Sequence, residues 1–205
     1  MTIPKNFTAI ISLGRACDTS FQIRRIFGQE TSWPFDWLIT PYSALCSLIE
    51  NDFQNFLKED SLRGANDRVH DTRLGIEFLH DFKDNLSFQE ELQFVQEKYF
   101  RRIERFLNLM QKSAKILFVR NHQYLNQDIL REVESRTLLE LLHKSYPSIE
   151  SHLLVVNPFG VDFPEVQERY LSLVTIPQPE PFIWSGDNSA WDNVFDNFFL
   201  YADKE

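Results

Sequence analysis

FTAIISLGRAC, residues Phe7–Cys17, is the stretch on which the fold turns. Phe7 to Leu13 is a short apolar, β-branched run closed by Gly14, so it reads as a buried strand followed by a turn. The helix that follows is expected from Ala16 to Phe27, with Phe21, Ile23 and Ile26 apolar and Gly28 as its C-terminal stop. Cys17 then falls in the first helical turn. A strand with no polar alternation is apolar on both faces, as strands of a parallel sheet covered by helices are.

The rest of the chain repeats this grammar. Ser32-Trp33-Pro34-Phe35-Asp36-Trp37 is an aromatic loop, after which Thr40 can cap a helix and Pro41 can take its first position. That helix turns Leu45, Leu48, Ile49 and Phe53 inward. Asp60 to Asp71 is polar and charged and reads as a surface connection. Gly75 to Leu79 reads as a second strand, ending at His80-Asp81. Phe88, Leu92, Val95, Tyr99, Ile103, Phe106 and Met110 recur at spacings of three and four, which predicts a long helix from Phe88 to Lys112. Ser87 with Glu90 matches a capping box at its start. Ile116–Val119 reads as a strand, Leu138–Lys144 as a helix, Leu153–Val156 and Leu171–Ile176 as strands. A last helix begins near Trp191 and puts Trp191, Val194, Phe195, Phe198 and Phe199 on one face. The expected architecture is a single α/β domain over residues 1–205, a mainly parallel sheet of about five strands with helices on both faces.

Composition limits the function. The chain carries 21 Lys and Arg against 30 Asp and Glu, a net charge of -9, which argues against general binding to phosphate backbones. No apolar run is long enough to span a bilayer, and Met1–Phe7 lacks the apolar core of a signal peptide, so the expected compartment is the cytoplasm. Cys17 and Cys46 form no disulfide framework and lack zinc-ligand spacing. Neither a G-x-G-x-x-G pattern nor a Gly-Lys-Ser/Thr loop occurs, so no metal and no cofactor are implied.

Ligands of open parallel sheets bind outside the carboxyl ends of the strands. The expected strands deliver Arg15 and Cys17, then His80 and Asp81, then Arg120, Asn121 and His122, then Asn157 to that edge. A thiol in a first helical turn faces free amides and the positive end of the helix dipole, which favour thiolate. His80 is the best-placed base, with Asp81, Asp36 or Asn121 to orient its ring. Arg120 ends a buried strand, where it would pair with Asp36 or grip an anionic substrate. Cys46 reads as core. His70 and His143 read as solvated or helix-end residues, and His152 carries no signal. Arg101, Arg102 and Arg105 lie off the apolar stripe of the long helix, as a solvated face or a contact for an anionic partner.

Ser12-Leu13-Gly14-Arg15-Ala16-Cys17, followed by Ser32-Trp33-Pro34-Phe35-Asp36-Trp37-Leu38, resembles a bacterial and viral domain family of unknown function labelled papain-like cysteine peptidases. Phe78-Leu79-His80-Asp81-Phe82, Arg101-Arg102-Ile103-Glu104-Arg105-Phe106 and Ile116-Leu117-Phe118-Val119-Arg120-Asn121 look like its later blocks. The resemblance implies a nucleophilic Cys17 and, as an alternative architecture, an α+β papain-like fold. Where papain-like enzymes place an oxyanion-hole Gln shortly before the nucleophile, this chain has Ile11, and it opens on a strand instead of a helix.

The leading functional expectation is a cysteine-dependent hydrolase or acyltransferase acting on a small-molecule or peptide substrate, with Cys17, His80 and Asp81 catalytic and Arg15, Asp36, Arg120 and Asn121 binding substrate. The alternatives are a sugar- or nucleotide-phosphate-binding domain of a glycan-processing enzyme, with Gly14–Cys17 cradling phosphate, and a non-catalytic interaction module. The oligomeric state is left open.

Overall fold

The computed structural model describes residues 5–65, 68–82, 87–121, 130–158, 166–177, 181, 183–196 and 198–200. Its main sheet has five strands, β2 (Ala9–Ser12), β7 (Lys115–Asn121), β8 (Glu150–Pro158), β10 (Leu171–Ile176) and β9 (Val166–Gln167), in that spatial order. The first four run parallel and β9 closes one edge antiparallel.

Alternate residues of these strands feed two separate cores. Ile10, Leu117, Val119, Leu154 and Val156 face one side, where they meet Ile23 of α1 (Asp18–Phe27) and Trp191 and Phe195 of α5 (Asn188–Phe195). Ile11, Ile116, Phe118, Leu153 and Val155 face the other, against α2 (Tyr42–Glu50), α3 (Phe88–Met110) and α4 (Glu132–Ser145). Burial on both faces is why these strands are apolar throughout, and it makes the chain an α/β fold.

Local signals explain several element ends. Gly28 closes α1 in the left-handed conformation at φ 63°. Ser87 and Glu90 form the expected capping box, and Leu92, Val95, Tyr99, Ile103, Phe106 and Met110 are the buried stripe of α3. Thr40 does not cap α2; Pro41 takes the cap position, and no side chain bonds the free amides there.

Three expectations need correction. The segment 60–71 is not a plain connection: it forms the hairpin β4 (Leu62–Ala65) and β5 (Arg68–Asp71). Asp71 on the buried face of Arg68-Val69-His70-Asp71 masks its alternation, and His70 is a strand residue. The strand ending at His80 is β6 (Ile76–Phe78), and it belongs to a second, antiparallel sheet of order β3 (Leu38–Ile39), β6, β5, β4. The cause is a tight turn: Asp71 Oδ1 accepts the amides of Arg73 and Leu74 at 3.0 Å, its carbonyl accepts Gly75 N at 2.7 Å, and Gly75 has φ 68°. So short a loop can only reverse the chain, since a parallel partner needs a long crossover. Finally, Phe198–Leu200 is not helical. It is β11, paired in parallel with β1 (Lys5–Phe7).

Candidate active site

The loop from β2 into α1 is built by two successive left-handed residues, Gly14 at φ 74° and Arg15 at φ 78°. A Cβ on Gly14 would lie 3.2 Å from both the Phe35 carbonyl oxygen and Thr40 Oγ1, so that position is restricted by close approach as well as by φ. Arg15 is the unusual one, because a non-glycine residue there costs on the order of 1 kcal/mol or more, and such outliers cluster at functional sites. The turn drops Cys17 at the cap position of α1, where its side chain makes no capping bond. The Gly14 amide donates inward to Ser12 Oγ at 3.1 Å, which takes it out of any external phosphate cradle.

Arg120 and Asn121 end β7 beside this loop and are both buried. Arg120 Nη1 donates to the Leu13 carbonyl and Nη2 to the Thr40 carbonyl, each at 2.7 Å. The guanidinium therefore ties the carboxyl end of β2 to the start of α2. Asp36 is not its partner: that carboxylate accepts the Trp33 amide at 2.7 Å, with the charges of Arg102 and Arg24 nearby. Asn121 Nδ2 donates to Asp18 Oδ2. Asn157, at the end of β8, donates to the Leu130 carbonyl at 3.1 Å. His122 lies outside the described residues.

His80 and Asp81 arrive from the antiparallel sheet instead of the parallel one, yet Asp81 joins the same electrostatic neighbourhood. Lys98 forms an ion pair with it, Tyr99 Oη donates to it at 2.9 Å, and its charge acts on Cys17. His80 is exposed and makes no hydrogen bond, ion pair or ring contact among the described residues.

Burial dominates the protonation of this cluster. It pushes the Asp18 carboxyl up to about 7 against the hydrogen bond from Asn121, and Asp36 up to about 6 against the Trp33 amide. The Cys17 thiol is pushed up to about 11, first by burial and then by the charges of Asp18, Asp81 and Asp36. The helix end alone would favour thiolate, but three carboxyl groups and the loss of water outweigh it. Cys46, half-buried on α2, is also raised, chiefly by burial.

Asp18, Lys98 and Tyr99 are the neighbours that sequence reasoning passed over as site residues. Tyr99 sits on the apolar stripe and hides as core, while Asp18 had no signal beyond adjacency to Cys17. Among the described residues no group of His, Cys, Asp and Glu could hold a metal ion, and no helix is long and apolar enough to cross a membrane.

Comparison with known proteins supplies a family. The model described as "Putative papain-like cysteine peptidase (DUF1796)" matches residues 8–158, more than half of the chain. An uncharacterized protein of Acanthamoeba polyphaga mimivirus is 26% identical over 220 residues, which cover 94% of this chain and 99% of that protein. No solved structure matches the chain.

Proposed function

The chain belongs to the family so described, and from that premise we propose a cysteine-dependent hydrolase or acyltransferase with Cys17 as nucleophile and His80 as general base. The observation that carries the reading is the position of Cys17, at the cap of α1 directly after the strained Gly14–Arg15 turn. Its substrate is a small molecule or peptide bearing an activated or amide acyl group.

The raised thiol pKa decides the mode of activation. At neutral pH Cys17 rests as S–H, so attack needs a base at the moment of reaction instead of a standing thiolate. His80, uncommitted among the described residues, takes that proton as sulfur bonds to the acyl carbon. Oxyanion stabilisation is assigned to backbone amides at the start of α1, where the Asp18 carboxyl competes for the Thr19 and Asp18 amides. The imidazolium then gives its proton to the leaving group as the acyl–leaving-group bond breaks. Water, or an acceptor nucleophile in the transferase case, is deprotonated by the same imidazole as it bonds to the acyl carbon, the acyl–sulfur bond breaks, and the imidazolium returns the proton to the Cys17 sulfur. Asp81 and Asp36 set the field around the sulfur, and Arg120 positions the loop that presents it.

The test is turnover of aryl thioesters and peptide amides by wild type, Cys17→Ala, Cys46→Ala and His80→Ala. Cys17→Ala should be inactive, His80→Ala slowed by about 10²–10⁴-fold, and Cys46→Ala unaffected. Wild-type turnover by Cys17→Ala would refute the assignment.

A further inference from the structure

Although the protein is acidic overall, four of its cations converge on one cleft. Lys98, Arg101, Arg102 and Arg105 follow one another on α3 at spacings of three, one and three, so they form a single stripe beside the buried one. They line a cleft of about 470 Å³ whose opposite wall is Glu30, Thr31 and Ser32.

Elsewhere several basic side chains are matched to acids: Arg25 with Asp192, Arg136 with Glu132 and Glu168, Lys115 with Glu150. In the cleft the matching is poor. Lys98 has Asp81, and Glu30 stands at the wall, but Arg101 has no partner among the described residues. Arg102 rests its guanidinium 5.0 Å from the Tyr99 ring centroid, and its Nη1 is buried with no hydrogen-bond partner among the described residues. The Arg102 charge acts on the Asp36 carboxyl, but a buried donor left unmade is costly and like charges at i,i+4 repel, so the cluster favours an anion that completes it.

The wall opposite adds a hydroxyl ready to donate. Ser32 Oγ accepts from Arg24 Nη2 at 2.6 Å and the Ser32 carbonyl accepts from Arg105 Nη1 at 2.9 Å, and among the described residues the Ser32 O–H donates to no other group. Several guanidinium forks, an ammonium and hydroxyls around a compact space are the donor set of a phosphate site, where Arg binds two oxygens at once.

We propose that the cleft between α3 and residues Glu30–Ser32 is a binding site for a small ligand carrying a diphosphate or a comparable cluster of phosphate charges. A nucleic acid is the poorer fit, because the net charge of -9 repels an extended polyanion. The proposal does not depend on thiol chemistry at Cys17.

Isothermal titration of the full chain with inorganic pyrophosphate, at ionic strength matched with sodium chloride, tests it. Wild type should bind pyrophosphate, and more tightly than inorganic phosphate. Arg102→Met and Arg101→Met should each weaken binding about tenfold or more. Arg102→Lys should recover part of the loss, while Arg136→Met, outside the cleft, should change nothing. Cys17→Ala should bind as wild type does, which separates this result from the hydrolase test. Should Arg102→Met fail to fold, the exposed Arg101→Met carries the comparison. No binding by wild type, or wild-type affinity in folded Arg101→Met and Arg102→Met, would overturn the proposal.

Discussion

Replacing Asp18 by Asn separates the electrostatics of the site from its packing. The substitution keeps the shape and an oxygen that can accept from Asn121, but it removes an ionisable group whose folded pKa is raised from 3.8 to about 7 by burial. The sign follows from proton counting. Below 3.8 the carboxyl is neutral in both states and its full contribution is present. Between 3.8 and about 7 the unfolded chain has released the proton that the folded chain keeps, so stability falls as pH rises, and it levels off above that window. The change from 3.8 to about 7 corresponds at most to about 4 kcal/mol. Urea unfolding of both proteins at about pH 4 and about pH 8 should show Asp18→Asn gaining a few kcal/mol relative to wild type at the higher pH. Asp36 titrates in the same sense in both proteins and cancels in the difference. The same variant should react faster at Cys17, because the Asp18 charge is the next cause after burial of that thiol's raised pKa. With a pKa of about 11, roughly one thiol in a thousand is ionised at pH 8, so wild-type alkylation by iodoacetamide in a Cys46→Ala background should be slow. A stability difference independent of pH, with unchanged alkylation, would refute the reasoning.

Two further substitutions test the packing and the loop. Phe106 is fully buried, with ring centroids 5.7 Å from Phe53 and 5.6 Å from Tyr146, so Phe106→Ala should cost about 3–5 kcal/mol while exposed Arg101→Ala costs about 0.5 or less. Equal shifts of the denaturation midpoint would mean that α3 faces otherwise. Arg120→Met keeps most of the volume but strands the carbonyls of Leu13 and Thr40, at about 1–3 kcal/mol each. A loss under about 1 kcal/mol would show that other donors satisfy them.

The parallel sheet was legible because its strands are apolar on both faces: Leu171–Ile176 matches β10 residue for residue. The capping box of Ser87 and the stop at Gly28 were legible because each satisfies local backbone groups. The antiparallel sheet was not, since β4 and β5 are short, largely charged on one face and set by a turn that depends on one Asp71 side chain. That miss matters for the site, because it reassigns His80 and Asp81 to a different sheet. The thiol's protonation was also illegible. The helix end that favours thiolate is written in the sequence, and so is Asp18 beside the thiol, whereas the burial that opposes thiolate most and the other two carboxyl groups come together only in three dimensions, Asp81 from beyond β6 and Asp36 from a loop.

The most direct measurement is the mass of the protein during turnover. Wild type mixed with an aryl thioester, quenched in acid and analysed intact should gain one acyl group, and peptide mapping should place it on Cys17. Cys17→Ala should stay unmodified. An acyl group on Cys46, or none on Cys17 while wild type consumes the thioester, would contradict a nucleophilic Cys17.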